Sequence, residues 1–154
     1  MKPLRIYLDS SVIGGYYDAK FSEDSRRVIL GIHQRKAVLL VSEVVVREIS
    51  TAPQPVQDVL ATIPPAAVEI VILSEEVLAL RTAYLDAKIL TKRSIDDATH
   101  VAAATIARAD AIVSWNFKHI VRLDKMKAYN QVNLANGYGI LTIITPKEVN
   151  FEND

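Results

Sequence analysis

The chain has 154 residues, half of them hydrophobic, and its 18 basic and 18 acidic residues leave no formal net charge. That length predicts one domain over residues 1–154, able to bury roughly 70% of its unfolded surface, and so much hydrophobic content excludes a disordered chain. The absence of cysteine excludes disulfides, thiolate metal sites and a cysteine nucleophile, and the charge balance means that any nucleic-acid partner must be met by a local basic patch.

Leu4 to Val12 opens the chain as a short buried strand, with Ile6, Tyr7 and Leu8 ending on the carboxylate of Asp9. Ser10 and Ser11 then suit the N-cap of a helix beginning near Val12. No signal peptide precedes this strand, and no apolar run approaches the ~20 residues needed to cross a bilayer. A cytoplasmic setting without membrane contact is therefore expected. Val28, Ile29 and Ile32 fall at helical spacing between Ser25 and Lys36, and Ala37 to Val41 is a second strand. Ser42 caps a helix through Ser50, which carries Glu48. Pro53 and Pro55 break the chain before a short helix from Val56 to Thr62.

Val68 to Leu73 is a third strand, and Ser74-Glu75-Glu76 starts a helix that fades near Lys88. Ser94 caps an alanine-rich helix running to about Ala109. Its small side chains let it pack close to a sheet. Ala111 to Ser114 is a fourth strand, Trp115 to Leu123 a loop passing into a short helix, and Asn133 to Gly139 is turn-rich. Ile140 to Ile144 is the last strand, before a turn of helix at Pro146. Strands alternating with helices predict an α/β fold with a mainly parallel sheet covered on both faces.

Four positions form a pattern. Asp9 closes the first strand, Glu48 lies in the helix after the second, Asp97 lies in the first turn of the alanine-rich helix beside Asp96, and Asn116 follows the fourth strand. Ligands bind at the carboxyl ends of strands in open α/β sheets. Carboxylates converging there repel one another unless a cation intervenes. Hard oxygen donors without a histidine cluster suit magnesium or manganese. Taken singly, each residue has a plainer explanation: Asp9 as a turn residue, Asp97 as the partner of Ser94 in a capping box, and Glu48 as a solvated neighbour of Arg47. His100, one turn from both aspartates, is either a ligand or a packed histidine supporting the ligands.

The segments Tyr7-Leu8-Asp9-Ser10-Ser11-Val12, Ser42 to Ile49 with Glu48, Asp97-Ala98-Thr99-His100-Val101-Ala102 and Val113-Ser114-Trp115-Asn116-Phe117-Lys118-His119 together resemble PIN-domain proteins of the VapC-like toxin group. The resemblance covers nearly the whole chain. It implies a three-layer α/β/α PIN-like fold, a metal-dependent ribonuclease, a cognate antitoxin protein and a homodimer. It also implies that Asp9, Glu48 and Asp97 are catalytic metal ligands for Mg2+ or Mn2+, with Asn116 a weaker one where many PIN domains carry a further aspartate. Ser10, Ser114, Asp96 and His100 would support those ligands.

Lys92 and Arg93 before Asp97, and Lys118 and Arg122 after Asn116, are candidates for contacting the RNA substrate. Lys88 and His119 extend that basic rim, and Tyr16, Tyr17 and Trp115 are candidates for base stacking. Val28, Ile29, Ile32, Val56, Val59 and Leu60 would supply the dimer interface. A PIN-like module that binds RNA or a protein without cutting is the alternative. Receiver domains and haloacid-dehalogenase phosphatases fit less well: the first lacks its paired acids and late lysine here, and the second finds Ser11 where its second aspartate belongs.

Overall fold

The computed structural model describes residues 2–151 and has five parallel strands: β1 (Leu4–Leu8), β2 (Ala37–Ser42), β3 (Val68–Val71), β4 (Ala111–Val113) and β5 (Ile143–Ile144). Their order is β3-β2-β1-β4-β5. Seven helices connect them: α1 (Ser10–Gly15), α2 (Ser22–His33), α3 (Glu43–Ser50), α4 (Gln54–Ala61), α5 (Glu75–Asp86), α6 (Ile95–Ile106) and α7 (Leu123–Ala135). From β1 the chain steps outward to β2 and β3, then crosses back to β4 on the other side. Right-handed crossovers therefore place α1 to α4 on one face and α5 to α7 on the other. Helix contacts follow that division, α1 packing on α2, α3 and α4, and α5 on α6 and α7. The expected three-layer α/β/α arrangement is the one the chain adopts. Among the described residues no helix is long and apolar enough to cross a membrane.

The core lies between the sheet and its two helical layers. Ile6, Tyr7 and Leu8 on β1 and Leu39 and Leu40 on β2 are sealed from solvent. That continuous burial is why these strands read as apolar runs rather than alternating ones. Ala98, Ala102, Ala103 and Ala104 of α6 are fully buried, so the alanine-rich helix does sit against the sheet. The apolar residues expected to form a dimer face are also inside: Val28, Ile29 and Ile32 are sealed, Val56 and Val59 nearly so, and Leu60 packs against the same core. Helical spacing shows that a stripe is apolar, not whether the chain's own sheet or a second copy covers it.

Several boundaries differ from the sequence reading. Helix α2 begins at Ser22, with Glu23 and Asp24 in its first turn, where the helix dipole favours acids. Pro55 falls in the first turn of α4, where its missing N–H costs nothing, so it starts that helix rather than breaking it. Helix α7 runs to Ala135, into the start of the segment expected to be turns. Among its buried residues are only Tyr129 and Asn133, so it carries almost no apolar periodicity. Strand β5 is shorter than expected because the Asn130 side chain takes Leu141: Oδ1 accepts the Leu141 N–H at 2.7 Å and Nδ2 donates to its carbonyl at 3.1 Å.

A buried polar knot holds α7 in place. The Tyr84 hydroxyl on α5 donates to Oδ1 of Asn133, whose Nδ2 donates to Oγ1 of Thr105 on α6 at 3.2 Å. Replacing Asn133 with alanine leaves the buried Tyr84 hydroxyl only its long 3.4 Å contact with Thr105, and the expected loss is about 1–3 kcal/mol of folding stability. Chemical denaturation measures it; an unchanged midpoint would show that the knot contributes nothing.

Candidate metal centre

The chain's topology reverses between β1 and β4, and the crevice outside their carboxyl ends is where a doubly wound sheet forms its site. Asp9 leaves β1 at this point. It stands at the N-cap of α1 in extended backbone, but its side chain caps nothing. Instead it lies 3% exposed and accepts two hydroxyl bonds, from Ser11 at 2.6 Å and from Ser114 at 2.7 Å. Helix α1 starts at Ser10, so Ser10 and Ser11 are inside its first turn rather than capping it. The hydroxyl expected to steady Asp9 from Ser10 comes from Ser11, which also accepts the backbone N–H of Trp115 at 2.9 Å. Of two adjacent serines, the turn of the helix decides which faces inward, and sequence alone could not separate them.

Asp97 approaches from the first turn of α6. Ser94 makes no side-chain cap there, so no capping box explains this acid. Burial is the largest influence on both aspartates and holds their carboxyls above the ordinary carboxylate value of 3.8. The His100 charge opposes that shift at both, as do the hydroxyls of Ser11 and Ser114 at Asp9 and the Asn116 side chain at Asp97. Asn116 has a defined orientation. Its Oδ1 accepts the backbone N–H groups of Lys118 and His119, at 3.2 and 2.9 Å. Its Nδ2 is thereby the amide atom left for Asp97, whose carboxyl the Asn116 side chain helps to lower.

His100, 1% exposed, links the layers. Its Nε2 lies 2.7 Å from Oε1 of Glu48 on α3, and its Nδ1 lies 2.7 Å from the Tyr7 hydroxyl, itself 2.7 Å from Oγ of Ser42. Ser42 is thus a link in this chain rather than a helix cap. Burial alone would lower the His100 pKa. The hydrogen bond to Glu48 and the charges of Asp9, Glu48 and Asp97 outweigh it and raise the value above 6.5. With both ring nitrogens protonated, each N–H has an acceptor, and the Tyr7 phenol donates onward to Ser42. His100 is then a buried cation among three carboxylates.

The structure thus brings Asp9, Glu48, Asp97, His100, Ser114 and Asn116 to one end of the sheet. Asp96 points elsewhere: its carboxylate pairs with Arg47 of α3 at 2.9 Å on the surface, so it does not steady the buried acids. Lys92, Arg93, Lys118 and Arg122 are exposed, and Arg122 is held by Asp124 through two bonds of 2.6 and 2.8 Å. Trp115, expected to stack on bases, is buried against Phe21 with ring centroids 4.4 Å apart. Phe117 is the aromatic this loop exposes. Tyr7, Ser42 and Ser11 are the site residues that sequence reasoning passed over.

No protein-family model matches the chain, and neither does any curated protein. Solved structures do share its fold. VapBC2 from Rickettsia felis, bound to a DNA fragment from its promoter, superposes with a TM-score of 0.59 at 14% identity, over 92% of this chain and 98% of that one. FitAcB from Neisseria gonorrhoeae superposes with a TM-score of 0.59 at 16% identity, over 94% and 99%. At such identity the likeness is one of fold.

The folded state raises the carboxyls of Asp9 and Asp97, so it favours their protonated forms. The stability this contributes is complete below the ordinary carboxylate range and is lost as pH climbs through the raised values. His100 contributes with the same sign: its share is present below 6.5 and is lost as pH rises through its raised value. Asp9→Asn is therefore expected to stabilise the metal-free protein, by an amount of order 1 kcal/mol at neutral pH, and less in acid. Thermal unfolding between about pH 4 and pH 8 reads the difference. A variant less stable than the parent throughout that range would contradict this.

Proposed function

We propose that the chain is a metal-dependent ribonuclease of the PIN-domain, VapC-like kind, cutting RNA phosphodiester bonds and restrained by a cognate antitoxin protein. The observation that carries this reading is the carboxylate pair of Asp9, buried, and Asp97, half-buried, both held above their ordinary pKa chiefly by burial at the switch point of the sheet. Buried acids in this state attract a cation. Their oxygens are hard donors of the sort Mg2+ and Mn2+ take. Among the described residues, no three of His, Asp and Glu stand together as a ready metal-binding group. The fit is therefore to one ion held mainly by Asp9 and Asp97. Glu48 would reach it only through the oxygen that His100 does not take.

When bound, such an ion supplies Lewis-acid activation of water and stabilises charge on the phosphate. The chain's own residues set the geometry. Ser11 and Ser114 hold both oxygens of Asp9, which fixes the plane of that carboxylate. Asn116 ties the loop after β4 to Asp97 and balances part of its charge. His100 fixes one oxygen of Glu48, whose side chain stays partly exposed. The fold shared with VapBC2 and FitAcB supports a toxin of a toxin–antitoxin pair acting in the cytoplasm. Homodimerisation belongs to the same reading.

Two observations favour the non-cutting alternative. His100, its pKa raised, is already bonded to Glu48 among the acids, and the Asn116 side-chain oxygen is taken by two backbone N–H groups. Both features weaken the pull on a metal. Cleavage of mixed RNA against added Mn2+ or Mg2+ separates the two readings. Asp97→Asn should lower Mn2+-dependent cleavage by at least about a hundredfold without unfolding the chain. Activity should be higher in Mn2+ than in equimolar Mg2+. Wild-type rates in Asp97→Asn would end the nuclease assignment.

The orientation of Asn116 leads to a separate expectation. Asn116→Asp keeps an oxygen for the two backbone N–H groups but turns its other oxygen on Asp97, removing a donor and adding a charge. It should tighten Mn2+ binding, measured by calorimetry, and lower the melting point of the metal-free protein. Unchanged values of both would show that Asn116 only shapes its loop.

A further inference from the structure

A cavity of about 400 Å3 lies at the amino ends of β1 and β2, at the opposite end of the sheet from the acids. Three segments build it: the run into β1, the end of α2 and the last described residues. Each is held in place. The Leu4 N–H donates to the Lys36 carbonyl at 3.2 Å, and the Lys36 N–H donates to the Gly31 carbonyl at 2.9 Å. Arg27 of α2 donates to the carbonyls of Pro146 and Val149, which ties the closing segment to that helix. Gly31 then receives the Phe151 ring, since a Cβ at position 31 would fall 2.3 Å from it. The cavity is thus formed by the fold itself, as small-molecule sites usually are.

Its walls are of two kinds. Lys2, Arg35 and Lys36 stand exposed around it, none with a carboxylate partner among the described residues, and no described acid lines it. Pro3, Leu4 and Phe151 make the apolar side, where Leu4 is 40% exposed although it opens the central strand. Three cations without a counter-charge therefore share one cavity in a chain whose net charge is zero. Arg35 carries a second sign. Its φ is 63°, a conformation that glycine adopts without strain. Closing α2 would be served as well by glycine, so the guanidinium here is not a requirement of the fold.

We propose that this cavity binds a nucleoside diphosphate, with Arg35, Lys36 and Lys2 on the phosphates and the base or ribose against Leu4 and Phe151. A diphosphate brings the multiple negative charge that three unmatched cations call for, and the planar fork of arginine suits phosphate oxygens. A monocarboxylate would leave most of that positive charge unanswered, and inorganic phosphate would leave the apolar wall in water. The volume falls within the range of small-ligand pockets, about 300–1,000 Å3. The site shares no residue with Asp9 and Asp97, and it stands whether or not the chain cuts RNA.

Calorimetric titration of ADP into the whole protein in EDTA, where no cation can carry the nucleotide to the acids, tests it. The parent should bind. Arg35→Gly combined with Lys36→Gln should weaken binding at least about tenfold, and glycine suits the left-handed backbone at 35, so that variant folds. Phe151→Ala should weaken ADP but leave inorganic pyrophosphate unchanged. Lys127→Glu, exposed on α7, is the control for charge alone. No binding of ADP by the parent, an equal loss in Lys127→Glu, pyrophosphate binding as tightly as ADP, or displacement of ADP by an equal nucleotide concentration of RNA would each overturn the proposal. Binding that appears only after removal of residues 152–154 would assign the cavity to Glu152 and Asp154 and overturn it as well. RNA cleavage in Mn2+ is scored separately, so the nuclease reading and this site can each fail without the other.

Discussion

The contact on which the end of this molecule depends is the one between His100 and Glu48. Three carboxylates are drawn toward one crevice by the ends of β1, α3 and α6, and burial makes their charges costly. His100, sealed among them and with its pKa raised by their charges, is placed to carry the opposing charge. It also joins the two helical layers over the edge of the sheet, since Glu48 belongs to one layer and His100 to the other. Arg47 and Asp96 repeat that junction at the surface, where water screens the pair and it contributes little.

His100 occupies this place because of what surrounds it in α6. Ala98, Ala102, Ala103 and Ala104 are fully buried, and helices with such small contact residues approach a sheet closely. The imidazole then reaches Tyr7 on the central strand and, through it, Ser42 at the end of β2. Every polar atom in that line has a partner, as a buried polar network must to be stable. The network fixes the distance between α6 and the sheet, and with it the position of Asp97 one turn earlier. The geometry of the proposed metal centre is thus set by residues that need never touch a metal.

The other end of α6 is governed by a different polar network, in which Tyr84, Thr105 and Asn133 dock α7. Nearby, Arg108 closes the helix in the left-handed conformation, at φ 55°, as Arg35 and Lys88 do after α2 and α5. Glycine is the usual occupant of such positions. A cation there meets the negative end of the helix dipole, which partly offsets the backbone strain.

The sequence by itself determined the layered α/β architecture, because buried parallel strands must be apolar runs and their connections must be helical, and both periods are written residue by residue. It also placed Asp9, Asp97 and Asn116 near a strand's carboxyl end or a helix's N-terminus, with Glu48 in the helix after the second strand, since strand and helix boundaries follow from local composition. Only the tertiary structure decided which groups face one another. It gave Asp9 the hydroxyl of Ser11 rather than Ser10, sent Asp96 outward to Arg47, matched Glu48 with His100 and turned the amide nitrogen of Asn116 toward Asp97. It also extended α7 through a polar segment that no hydrophobic pattern marks. Those outcomes depend on which of two adjacent residues a helical turn of 100° points inward, and on partners such as Arg47 and His100 that lie 49 and 52 residues away, and neither is encoded in local spacing.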